Sequence, residues 1–136
     1  MPFIARHTRL ILLISGVLTC TLLYAAVAPQ AAVLSMFGAP LAEGALVEIV
    51  VRSWGLLIAL LGAMLIYAAF RPALRPLVLS VAGLSKLFFV GLLLVLGGEF
   101  LTKTWSVIAI DGLAVLLYAL CLPQALREAR AVSGDH

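Results

Sequence analysis

The sequence predicts an all-α polytopic membrane protein, an antiparallel four-transmembrane-helix bundle in a single integral domain, 1–136. Three observations predict it. Hydrophobic residues make up 65% of the chain and charged residues 11%, more apolar surface than a soluble domain of this length can hide. Four apolar runs, Leu10–Ala28, Ile49–Phe70, Leu77–Gly98 and Thr104–Leu122, approach or exceed the roughly 20 residues that a helix needs to cross about 30 Å of hydrocarbon. The runs are continuous and rich in Leu and Ala, without the two-residue alternation of a membrane barrel strand.

With polar flanks included, the helices are expected at about 8–28, 48–70, 76–98 and 103–122. The first follows Arg6, His7 and Arg9 and ends in Ala26-Val27-Ala28, a pattern shared with secretory signal peptides. Retention is expected, because the apolar run exceeds a usual signal core and Pro29 stands where a mature chain would begin. A lipoprotein signal at Val17-Leu18-Thr19-Cys20 is disfavoured by Thr19, a poor substitute for the small residue such a signal needs. Along this helix Ser15, Gly16, Thr19 and Cys20 share a narrow face suited to close interhelical packing.

The loop 29–47 is mostly apolar, and Ala31–Phe37 before Gly38-Ala39-Pro40 predicts a short interfacial helix and then a turn. In the second span Gly55, Ala59 and Gly62 continue the face of Glu48 and Arg52, so that side is expected to face the bundle interior. The connection 71–76 carries Pro72 and Pro76, which stiffen it into an antiparallel turn. On the third span Gly83 and Gly91 suit either internal packing or a dimer seam. The tail 123–136 reads as short, polar and solvated.

Charge predicts the orientation, since basic flanks stay on the cytoplasmic side. Arg6, Arg9, Arg71, Arg75, Arg127 and Arg130 fall on one side, against Arg52 and Lys103 on the other. Both termini are therefore expected in the cytoplasm of a bacterial cell, with the chain in its inner membrane. Arg71, Arg75, Arg127 and Arg130 are expected to anchor to anionic lipid headgroups. The net charge of +3 follows from this topology, so nucleic acid is not an expected partner. Aromatic placement agrees: Tyr24 and Trp105 fall at the outer interface, Tyr67 and Tyr118 at the inner one.

Two charges interrupt the third and fourth spans. Lys86 lies about 14 Å by helical rise from the inner end at Leu77, and Asp111 about 17 Å from the inner end at Leu122. An ionisable residue at that depth is costly and calls for a partner or a task. The short connection between these helices makes them antiparallel neighbours, so the pair is expected to meet. Its roles remain open between a structural ion pair, a proton or substrate relay, and a charge facing a water-filled cavity.

Glu48, Arg52 and Trp54 form a second candidate, an outer-leaflet polar site. Glu48 and Arg52 are spaced to pair on one helix face, either as an interface anchor or as a site for an anionic headgroup or solute. Cys20 and Cys121 differ in height by roughly 13 Å by helical rise, beyond disulfide reach. With His7 and His136 near the ends, no metal site is expected. No cofactor is identified; a quinone or a lipid is compatible with the composition.

Pro29 after the first span, Arg52-Ser53-Trp54-Gly55 entering the second and Asp111-Gly112 in the fourth resemble the DoxX-like group of small bacterial four-helix membrane proteins and its uncharacterised relatives. The resemblance spans most of the chain. It implies the same bundle and an accessory role beside a redox enzyme, and it carries over no catalytic residue. Small multidrug exporters share the size, but that family relies on a glutamate in its first helix and this chain has none there. The leading expectation is a non-enzymatic accessory, assembly or lipid-interacting component, working with the bilayer and with a membrane partner or a second copy. The alternative is an ion or solute transporter that uses Lys86 and Asp111 as coupling groups. A membrane-embedded enzyme ranks last, because no nucleophile, base and oxyanion donors cluster.

Overall fold

The computed structural model describes residues 2–134, with side-chain detail from His7 to Val132. Asp135, His136 and the side chain of Arg6 lie outside the described residues. Six α-helices follow in order: α1 Pro2–Cys20, α2 Leu23–Val27, α3 Pro29–Phe37, α4 Ala45–Ala69, α5 Arg75–Leu96 and α6 Leu101–Gly134. Among the described residues four stretches are long and apolar enough to cross a membrane, His7–Val27, Ala45–Ala69, Pro72–Leu96 and Gly98–Val132. The protein is an antiparallel four-helix bundle. Packed pairs α1/α4, α4/α5, α5/α6 and α1/α6 close the ring. We call the end where α1 begins and α6 finishes the base, and the opposite end, which carries α3, the cap.

The first span is broken, not continuous. Thr21 and Leu22 donate their backbone N–H groups to Leu18 and Thr19, and Tyr24 and Ala25 donate to Thr21 and Leu22, so the chain tightens into three-residue turns between α1 and α2. Thr19 and Thr21 direct their hydroxyls back to the Ser15 and Leu18 carbonyls, at 2.7 and 2.5 Å, a local bond that bends helices. The 29–47 connection opens with the expected short helix, α3, with Pro29 at its start and Gly38 in the left-handed region (φ 71°) at its end. Phe37 meets Phe100 edge-on at 6.1 Å, which fixes α3 against the turn before α6.

The contact between α1 and α4 depends on the small-residue faces expected from sequence. Gly16 and Gly62 lie backbone to backbone: a Cβ added at Gly62 would stand 2.6 Å from Cys20 N and 2.7 Å from Gly16 O. Gly55 is pressed as closely against Leu22, Ala25 and Ala26. Gly62→Ala is therefore expected to lower stability by about 1–3 kcal/mol, the usual cost of overpacking. Gly91→Ala, whose added carbon meets nothing within 4 Å, is expected to be neutral or slightly stabilising. Unfolding midpoints of the two variants in the same detergent check the contrast.

Pro72 opens a single 3-10 turn, Pro72–Leu74, and Pro76 sits in the first turn of α5, as a proline-stiffened connection should. The end of α6 differs from expectation. The helix does not stop near Leu122 but runs through Pro123 to Gly134. Proline normally ends a helix by removing a backbone donor; here Ala125 is fully buried and Glu128 is held by Arg75, and these contacts carry the helix onward. The exposed Arg127, Arg130 and Val132 keep this extension partly solvent-facing.

The main hydrophobic core lies in the base half of the bundle. Leu12, Leu65, Leu79, Tyr118, Cys121 and Ala125 are among its buried members. Large apolar side chains such as Leu57, Phe88, Leu94 and Leu113 point outward from the cap-half and middle turns, as in a bundle whose solvent is lipid. The cap half, beside buried residues such as Ala25, Ala32 and Thr104, holds a chamber.

Candidate functional site

This chamber, of about 270 Å³, is lined by the four spanning helices and is open along part of its boundary. Leu18 and Leu22 on the broken first span form one wall, and Trp54 and Ile58 of α4 the next. Ser85, Lys86 and Phe89 of α5 face Val107, Ile110 and Asp111 of α6. Met36 of α3 reaches the chamber from the cap. Trp54 and Phe89 pack together across α4 and α5, ring centres 6.0 Å apart. The lining is mainly hydrocarbon and aromatic, with few polar groups, the usual make-up of a small-molecule site.

At the floor stands the expected pair. Lys86 Nζ donates to Asp111 Oδ1 at 3.1 Å, with the two side chains only 15% and 16% exposed. An ammonium has three N–H donors and one is engaged by Asp111, so the pair can still donate to an acceptor in the chamber. The pair is also a boundary. Lys86, Asp111, Leu18 and Ile110 line a second cavity of about 190 Å³ on the base side, between α1 and α6. Ser15 and Tyr118, whose hydroxyls hydrogen-bond to one another, are among its lining. Nearer the base, the buried Thr8 donates through Oγ1 to the buried Cys121 Sγ at 3.7 Å.

The outer-leaflet candidate divides. Arg52 forks onto Glu48 Oε1 through Nε and Nη2 at 2.9 and 2.7 Å. Its third contact is structural: Nη1 donates to the Ala26 and Val27 carbonyls at 2.7 and 3.3 Å. These are carbonyls at the end of α2 that a short helix leaves unpaired, so Arg52 caps the broken first span. Trp54 does not join that cluster; it lines the chamber against Phe89.

Of the four arginines expected at headgroups, Arg71, Arg127 and Arg130 are exposed near the base, with Arg71 5.5 Å from the Tyr67 ring centre. Arg75 is a correction. It is 8% exposed, donating to the Ala68 and Ala69 carbonyls at 3.1 and 2.7 Å and to Glu128 at 2.8 Å. A guanidinium with three neighbours of this kind is a clamp between α4, α5 and α6 and has little left to offer a lipid. Tyr118, expected at the inner interface, is also inside, at 2% exposure. Tyr24, Tyr67 and Trp105 do face outward.

Cys20 and Cys121 are free thiols. Among the described residues no three His, Cys, Asp or Glu side chains converge on a metal position. A Cβ added at Gly83 would stand 3.6 Å from the Tyr118 ring, whereas one at Gly91 would meet nothing within 4 Å, so within the chain only Gly83 faces a packed neighbour. Sequence reasoning missed Phe89, Ser15 with Tyr118, and Arg75 with Glu128. Only Ser15 had a signal, as part of the small polar face of α1. Compared with protein-family models, with curated proteins and with solved structures, the chain shows no significant match to any.

Proposed function

We propose that the protein is a non-enzymatic membrane component that binds the head of a lipid-borne molecule in the cap-half chamber, as an accessory or assembly subunit. The observation that carries this reading is the chamber itself: aromatic walls, one ion pair and little other polarity, in the middle of a membrane bundle. Such a site suits a molecule that arrives through the bilayer. The basic residues around the base support an orientation with both termini in the cytoplasm of a bacterial cell and the cap outside. A redox partner fits the DoxX-like resemblance and is part of the same proposal.

The test is mass spectrometry of the protein released intact from detergent, followed by extraction and identification of whatever travels with it. A bound lipid-soluble molecule at about one per chain is expected, retained by the wild type and lost when Lys86→Met and Asp111→Leu are combined. A wild type that carries nothing, and whose melting is unmoved by a panel of quinones, fatty acids and phospholipids, overturns the reading.

The two cavities that meet at Lys86 and Asp111 favour one alternative, a transporter in which the pair separates two compartments. It requires solute or ion flux in proteoliposomes that the combined charge-removing variant loses. Sealed vesicles with no flux across a broad solute panel eliminate it.

A further inference from the structure

The second cavity specifies what kind of molecule the chamber takes. It begins at the ion pair and descends along the seam between α1 and α6, bordered by Ile11 and Ile14 on one helix and Leu113, Ala114 and Leu117 on the other. Ile14 and Leu113 are each more than half exposed, so the seam faces the lipid directly. Among neighbouring spanning helices this pair makes the sparsest contact. The lining is mainly hydrocarbon, with the hydrogen-bonded Ser15 and Tyr118 on its base side.

We infer that the ligand is a single-chain amphiphile with a neutral, carbonyl-bearing ring as its head, the ring in the Trp54–Phe89 chamber and the first part of the chain in the α1/α6 seam. This deepens, and rests on, the ligand-binding reading above. Three observations select that class. Leu18, Lys86, Ile110 and Asp111 border both cavities, so a head in one and a tail in the other would meet at the ion pair. A cavity of 190 Å³ takes one chain only: a water occupies about 30 Å³ and a methylene a similar amount, which leaves room for about six methylenes. Lys86 and Asp111 neutralise one another, so the chamber carries no net charge to hold an ionic head, whereas a neutral carbonyl can accept from a remaining N–H of the Lys86 ammonium. The paired aromatic side chains offer a flat surface for a ring.

Trp54 reports on the chamber once the exposed Trp105 is removed as Trp105→Phe. Quenching of Trp54 is followed in detergent with three probes: a decyl-tailed benzoquinone, the same benzoquinone without its tail, and decanoic acid, whose binding is read by its competition with the first. The tailed quinone is expected to quench saturably and at least tenfold more tightly than the tailless one, with decanoic acid a poor competitor. Filling the seam with Ala114→Phe should weaken the tailed probe by tenfold or more and leave the tailless one unchanged. Leu117→Trp is avoided because it adds a second emitter; Ile14→Phe serves as the independent filling variant if Ala114→Phe does not fold.

The outcomes separate the two claims. If neither quinone quenches, the chamber reading itself fails. If tailed and tailless probes bind equally, or seam filling leaves both unchanged, the chamber stands and the tail assignment is overturned. Strong competition by decanoic acid overturns the neutral-head assignment.

Discussion

Lys86→Met alone is expected to cost about 3–5 kcal/mol of stability, Asp111→Leu alone a similar amount, and the two together far less than the sum. The reason is asymmetry in what each change leaves behind. Breaking a buried pair from one side strands the other charge where neither water nor a counter-ion compensates it. Replacing both by apolar side chains of comparable size removes the desolvation penalty along with the attraction, and such exchanges are often close to neutral. Here both side chains are about 85% covered, Lys86 Nζ meets Asp111 Oδ1 at 3.1 Å, and the cavities above and below are lined mainly by hydrocarbon with a few hydroxyls. Nothing else charged lines either cavity, so no neighbour can take the place of the lost partner. Unfolding free energies of the four proteins in one detergent form the cycle, and a coupling of at least 2 kcal/mol is expected. Additive losses would show that the two charges are solvated independently, which would remove the reason for treating them as one element.

That pairing was legible in the sequence because depth in a membrane follows from counting. Helical rise set the two heights, and a short connection set the neighbours. The same logic found the bundle, the small faces of α1 and α4, and α3. What sequence could not show depended on contacts between distant residues. The end of α6 was placed by its proline, a sound local rule overridden by Ala125 packing and the Arg75–Glu128 bond. Arg75 and Arg71 look alike in the sequence as two arginines of one turn, yet one is clamped and the other exposed, a difference made by a glutamate 53 positions away. The chamber itself was illegible, because a void is what side chains leave unfilled. Trp54 was recognised as notable but assigned to the wrong company, since helical spacing places it near Arg52 without saying which neighbour helix it faces.

Arg75→Met is the second change expected to have a large effect, and it should act at the base without touching the chamber. Arg75 joins the end of α4 to α6: Nε and Nη2 take the Ala68 and Ala69 carbonyls, and Nη1 takes Glu128. Ala69 is one of the last carbonyls of α4, which the helix itself leaves open, whereas Ala68 also accepts from the Arg71 N–H at 3.1 Å; the third holds the segment of α6 beyond Pro123. Each hydrogen bond to a charged group contributes about 1.5–3 kcal/mol when its loss leaves a partner unsatisfied. Glu128 is 30% exposed and can recover water, so the total is expected at about 2–4 kcal/mol. Glu128→Gln, which keeps an acceptor for Nη1 while removing the charge, should cost about 1 kcal/mol or less. Hydrogen exchange distinguishes the clamp from general loosening. Amides from Gln124 to Arg130 are expected to lose protection in Arg75→Met, while those around Lys86 and Asp111 keep theirs and ligand binding in the chamber is unaltered. Uniform loss of protection across all four spanning helices would instead mean that the arginine supports the whole bundle and not the extension of α6.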